Sequence, residues 1–185
     1  MVKIFIDPGH GGNDSGATGN GLKEKDVTLK IAKAIKSKLK EYENVKVKLS
    51  RYEDETLALR ERTEMANSWG ADVFISIHLN SASSDNASGF ESFIYTNTGS
   101  RTRGFQDILH SEIMKLVDNY TDDDRGKHEA NFHVLRESSM MACLTENLFV
   151  SNKADAELLK DEEFINAVAE GHKNGIVKFY DLKKK

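Results

Sequence analysis

Apolar positions along the chain switch between two periods. Ile4-Phe5-Ile6 is a short, nearly continuous apolar run rich in β-branched residues, and it stops at Pro8, the chain's only proline. Such a run reads as a strand buried on both faces. Val73-Phe74-Ile75-Ser76-Ile77 has the same character and predicts a second central strand, which ends in His78-Leu79-Asn80-Ser81. Val45, Val47 and Leu49 alternate with Lys46 and Lys48, the pattern of a half-buried strand near a sheet edge. Further strands are expected from Gly89 to Tyr95, around Phe132-His133-Val134-Leu135, and from Met141 to Thr145, the last ending at Glu146.

Between these runs the period lengthens. Val27, Ile31, Ala34, Ile35 and Leu39 share one side of a helix that should begin near Lys25 or Asp26. Leu59, Arg62, Thr63 and Ala66 mark a second helix, ending near Trp69-Gly70. Phe105, Ile108, Leu109, Ile113, Leu116, Val117 and Tyr120 form the clearest amphipathic stripe, and a polar turn, Asp122-Asp123-Asp124-Arg125-Gly126, follows it. A final helix runs from an Asp161 cap through Phe164, Val168, His172 and Phe179. Strands alternating with helices predict a single α/β domain: a mostly parallel mixed sheet of about six strands with helices on both faces. Its expected extent is residues 1–181, followed by a Lys-rich tail at 182–185 that should fray or begin a linker.

Composition narrows the function classes. A chain of 185 residues is long enough to bury its own core without metal or disulfide staples. Its net charge of −4 argues against nucleic acid as a partner, because phosphate binding needs a basic face. One helix qualifies this: Lys30, Lys33, Lys36 and Lys40 give it a basic side, read either as plain solvation or as a surface for a polyanion. No apolar run approaches a membrane span, so membrane insertion is not expected, and Val2 already begins a strand, leaving no room for a signal peptide. Cys143, the single cysteine, lies in an apolar run and reads as a small buried thiol.

The polar residues at the strand ends carry the chemistry. His10 follows the first strand between Gly9 and Gly11-Gly12, and these glycines allow close backbone approach to whatever the imidazole holds. His78 ends the second central strand and Glu146 the strand from Met141, while Glu24 precedes the first helix. In open α/β sheets, sites form outside the carboxyl ends of the strands. Two imidazoles and one carboxylate match zinc with three protein ligands and an open fourth position, and Glu146 is then a spare carboxylate to serve as base. The competing reading is a phosphate loop. Gly11 to Gly16 has that spacing but is followed by Ala17 where lysine is required, and Gly19-Asn20-Gly21 leads to Glu24 where a third glycine belongs. Both lack the group that does the work.

Asp7-Pro8-Gly9-His10-Gly11-Gly12, Glu24-Lys25-Asp26, Ser76-Ile77-His78-Leu79-Asn80 and Glu146-Asn147-Leu148-Phe149-Val150-Ser151-Asn152 stand in an order that resembles the zinc-dependent N-acetylmuramoyl-L-alanine amidases. Leu59-x-x-Arg62-Thr63-x-x-Ala66-Asn67 and Val134-Leu135-Arg136 look like further landmarks of that family, so the resemblance spans essentially the whole chain. It implies that His10, Glu24 and His78 hold Zn2+ and that Glu146 is catalytic. The implied substrate is peptidoglycan, cut at the amide between N-acetylmuramic acid and L-alanine, with action at the bacterial cell wall. Two departures stand out: Leu148 replaces the usual glycine, and Met140-Met141 stands where a proline is common. A zinc peptidase or amidase acting on another bond, and a wall-binding module with degenerate machinery, are the alternatives. Among the remaining polar residues, His133 is expected to line the cleft, and Arg136 to meet a peptide carboxylate or form a surface ion pair. His110 and His172 read as structural or surface residues and His128 as solvated; the oligomeric state is left open.

Overall fold

The computed structural model describes all 185 residues. β1 (Val2–Pro8) leads through a small hairpin, β2 (Thr18–Gly19) and β3 (Leu22–Lys23), into α1 (Glu24–Leu39). Then come β4 (Val45–Leu49), α2 (Leu59–Trp69), β5 (Val73–Asn80), β6 (Phe90–Ile94) and α3 (Ser100–Val117). The chain closes with β7 (Asp124–Glu129), α4 (His133–Arg136), β8 (Met141–Phe149), α5 (Lys153–Lys160) and α6 (Glu162–Tyr180).

The six-stranded sheet has the order β4-β1-β5-β8-β6-β7. β1 pairs in parallel with β4 and β5, and β5 with β8; β6 runs antiparallel to β8, with β7 parallel to β6. The single α/β domain with a mostly parallel mixed sheet is therefore as expected. Alternation along the strands divides the core. Ile4, Ile6, Val73, Ile75, Ile77 and Cys143 face a layer of 28 buried residues under α1, α3 and α6. Phe5, Phe74, Ala142 and Leu144 face a smaller layer of 8 with α2 and α4. His78 and Glu146 continue that second set along β5 and β8, so they emerge on the thinner face, where the α2 and α4 N-termini leave a cleft.

Four local expectations are corrected. Residues 132–135 are not a strand: Phe132 caps α4, and Val134 and Leu135 are buried from a single helical turn. An apolar run that short has no period to tell strand from helix. Residues 124–126 are not a turn but the start of β7, an edge strand whose charged, exposed side chains discourage further pairing. β5 and β8 run on past the expected ends, so His78 and Glu146 lie within their strands. Finally, the tail at 182–185 is not frayed. Leu182 packs against the core, Lys184 bridges Tyr42, and the Lys185 N–H donates to Glu41 O at 2.9 Å.

Candidate active site

The loop after β1 is held from below by buried charge. Asp7 accepts hydrogen bonds from Arg62 Nη1 at 2.8 Å, Ser50 Oγ at 2.6 Å and Ser76 Oγ at 2.8 Å. Burial alone would raise its carboxyl, but the Arg62 charge and these bonds hold it below the usual range. Arg62 also donates to Pro8 O at 2.9 Å and His10 O at 2.7 Å, and Arg51 to Gly9 O at 3.0 Å and Lys25 O at 2.7 Å. Two buried guanidiniums thus spend their donors on the carbonyls of the loop that carries His10. His10 itself sits in the left-handed region at φ 62, which aims its ring back over the sheet end.

Three side chains converge there. Glu24, the first residue of α1, places Oε1 3.1 Å from His10 Nε2 and 2.9 Å from His78 Nδ1. Its carboxylate is fixed by the Leu79 N–H to Oε1 at 3.0 Å and the Ala17 N–H to Oε2 at 2.8 Å. Behind His10, Asp14 Oδ2 lies 2.8 Å from Nδ1. Burial opposes charge on all three groups, yet their mutual bonds win. Glu24 is held far below the carboxylate range, His78 is raised, and His10 is raised to about 9 by Glu24 and Asp14. Close approach needs missing side chains: a Cβ on Gly9 would lie 2.4 Å from the His78 ring, and one on Gly16 would lie 2.6 Å from both His10 and Glu24. The ligand atoms of His10, Glu24 and His78 all fall within 4.8 Å of one another. Two imidazole nitrogens and a carboxylate oxygen, in a cradle that glycines keep open, can bind a metal.

Glu146 stands opposite His78 in the β5–β8 register and opposite Glu91 in the β6–β8 register. Burial pushes its carboxyl up to about 7, and Oε2 has no hydrogen-bond partner. Together with His10 and His78 it forms the polar side of a cleft of about 250 Å³, whose other wall is Leu59, Phe132, His133, Val134 and Leu144. All four residues expected to form the site are therefore neighbours in space, and His133 lines the cleft as well.

Other expectations resolve individually. Cys143 is fully buried and its thiol is pushed up to about 12, which removes it as a nucleophile. Arg136 is engaged with Glu137 at 2.7 Å and Asn131 at 2.6 Å, the surface ion pair of its two readings. His110 is buried between Ser92 and Asp124, and His172 between Thr145 and Val168. His128 lies on β7 rather than in a loop, but it is exposed as expected, 3.2 Å from Glu91. The sequence reading passed over Asp7, Asp14, Arg51 and Glu91 as members of the site. Only Asp14 carried a local signal, four residues after His10 in a glycine-rich loop; the rest are joined to the site by tertiary contacts.

The chain is similar in sequence and fold to known proteins. A family model described as N-acetylmuramoyl-L-alanine amidase matches residues 4–178. The chain is 54% identical over all of its 185 residues to the N-acetylmuramoyl-L-alanine amidase CwlM of Bacillus licheniformis, covering 71% of that protein. It is also 54% identical over its full length to the sporulation-specific N-acetylmuramoyl-L-alanine amidase of Bacillus subtilis strain 168, covering 70% of it. Among solved structures, the catalytic domain of CwlV, an amidase from Bacillus (Paenibacillus) polymyxa var. colistinus, superposes with a TM-score of 0.92 at 37% identity, over 99% of this chain and 100% of that one. The N-acetylmuramoyl-L-alanine amidase of Clostridium difficile 630 gives 0.94 at 35% identity, over 98% and 97%.

Proposed function

We propose that this chain, which belongs to the N-acetylmuramoyl-L-alanine amidase family, cuts its amide with a zinc ion held by His10, Glu24 and His78 and with Glu146 as the proton carrier. The reaction of the family is hydrolysis of the bond between N-acetylmuramic acid and L-alanine in peptidoglycan, so the work is done on the cell wall. The observation that carries the assignment of roles is the convergence of the three ligand atoms beside an unpartnered Glu146 oxygen.

Zinc at this position would polarise the scissile carbonyl and make a water acidic enough to lose its proton near neutral pH. The protein's own groups do the rest. With a metal bound, Asp14 accepting from His10 Nδ1 would leave the Nε2 lone pair for the ligand centre. Backbone N–H groups of Ala17 and Leu79 fix both oxygens of Glu24, which keeps the third ligand from rotating. Glu146 takes the proton of the attacking water on Oε2 and delivers it to the leaving alanine nitrogen. A carboxyl poised near 7 suits both directions of that transfer.

The test uses defined muropeptides, mass analysis of products and elemental analysis of the protein. The parent should release peptide with N-terminal L-alanine and leave the glycan intact. His10→Ala or His78→Ala should lose zinc, because two remaining donors compete poorly with solvent. Glu146→Gln should keep zinc and lose turnover by about 10²- to 10⁴-fold. Full zinc occupancy in either histidine variant, or parental turnover in Glu146→Gln, would overturn the roles.

A further inference from the structure

Three buried side-chain polar atoms have no hydrogen-bond partner: His133 Nε2, Glu146 Oε2 and Asn147 Oδ1. Buried polar atoms are nearly always paired, so each exception calls for a reason. Asn147 has a local one. Its amide nitrogen donates to His78 O at 3.0 Å and Thr145 O at 3.2 Å, tying β5 to β8, and that orientation leaves Oδ1 stranded. Glu146 Oε2 is the atom assigned above to proton transfer. His133 remains.

The other five histidines all have a ring nitrogen engaged. His10 meets Asp14 and Glu24, and His78 meets Glu24. His110 bonds Ser92 and Asp124, His128 the Arg125 carbonyl, and His172 Thr145 and the Val168 carbonyl. His133 starts α4, and its ring forms part of the cleft wall facing His10, His78 and Glu146. With its proton on Nε2, His133 is a buried donor in the wall of the cleft with nothing in the protein to receive that proton. Such a preorganised donor is what an oxygen gaining negative charge requires.

We propose that His133 is a catalytic residue, whose Nε2–H donates a hydrogen bond to the substrate oxygen as the amide carbon becomes tetrahedral. The inference rests on the amidase reading above. As the water oxygen bonds to the carbonyl carbon, the carbonyl π pair moves to its oxygen and His133 donates there. When that pair returns, the C–N bond breaks and the nitrogen takes its proton from Glu146. His133 itself neither gains nor loses a proton in either step. The role requires the proton to sit on Nε2, since the Nδ1–H tautomer would present a lone pair there instead.

His133→Ala and His133→Gln in the zinc-loaded enzyme test this, with turnover on a defined muropeptide and affinity for a phosphinate analogue of the tetrahedral carbon. His133→Ala should lower kcat by about 10²-fold, the usual loss for one such donor, with KM, zinc content and Tm near the parent's. Affinity for the phosphinate should fall by a similar factor, because the donor acts on the tetrahedral state. His133→Gln keeps an N–H and should recover part of both losses. Parental kcat in His133→Ala, a rise in KM alone, unchanged phosphinate affinity, or a glutamine variant as slow as alanine would each overturn the proposal. A parent enzyme that fails to release alanine-terminated peptide would instead overturn the reading beneath it, so the two failures are told apart.

Discussion

Leu148 occupies a backbone position that side chains avoid. Its φ is 69, two residues beyond Glu146, where the β5–β8 register shifts between His78 and Asn80. The glycine usual at this place in the family has a physical reason, since the left-handed region costs an L-residue about 1–2 kcal/mol. Here leucine stands instead, 1% exposed and packed in the larger core layer. Truncating a buried leucine typically loses about 2–5 kcal/mol, more than the relief of strain returns. Leu148→Gly should therefore destabilise the fold by about 1–3 kcal/mol in denaturant titration. Its turnover should stay near the parent's, because Leu148 takes no part in the cleft wall. A variant more stable than the parent would show that the backbone strain outweighs the packing. His10, at φ 62, bears the same kind of strain but has glycines on its C-terminal side to continue the turn.

The loop from β1 to α1 is the element on which the site depends, and it has almost no regular structure of its own. Its rigidity comes from Arg62 on α2 and from Arg51 just after β4. Arg62 and Asp7 are only 3% and 1% exposed. Removing one partner of a buried pair strands the other charge, at about 3–5 kcal/mol. Arg62→Met should lose stability on that scale and weaken metal retention, since His10 O is one of the acceptors released. Adding Asp7→Asn to it should recover part of the stability, which a double-mutant cycle in denaturant would measure. A purely additive cycle would mean that the pair contributes nothing as a pair. The sequence made parts of this element legible and not others. Strand, proline and glycines predicted the shape of the loop, and Leu59-x-x-Arg62 placed an arginine on the apolar side of a helix. The partner Asp7 lies 55 positions away, and only the closed sheet brings the two together. β7 stayed hidden for a related reason: an edge strand exposed on both faces carries no apolar alternation to read.

Across the whole molecule, charge and burial link the helical layer to β8, the strand that carries Glu146. The basic face expected on α1 from Lys30, Lys33, Lys36 and Lys40 is partly paired at the surface: Lys30 pairs with Glu162 and Lys36 reaches the Tyr52 hydroxyl at 2.7 Å, while Lys38, outside that set, pairs with Glu170 at 3.0 Å. Sequence spacing put the lysines on one side of α1, but the acidic residues of α6 that meet them were visible only once the helices packed. The same packing buries His172 of α6 against β8. Its Nδ1–H donates to Val168 O at 2.8 Å, and its Nε2 accepts the Thr145 hydroxyl at 3.0 Å, one residue before Glu146. That pattern requires a neutral ring, and burial lowers its pKa from 6.5 to about 4 despite the Val168 carbonyl. In the unfolded chain the same ring takes a proton near 6.5. The stability it contributes is thus fully present above about 6.5 and is lost as pH falls towards about 4, because only the unfolded state binds the proton over that window. The difference amounts to about 3 kcal/mol at most, at about 1.4 kcal/mol per pH unit. His172→Gln should be less stable than the parent at pH 7 but should lose less on acidification. Carboxylates such as Glu24 and Asp7 titrate in both proteins, so subtracting the two curves isolates His172. Denaturant titrations of both at steps between pH 7 and 4 would show it, and parallel curves would mean that the buried imidazole takes up its proton as readily in the fold as outside it.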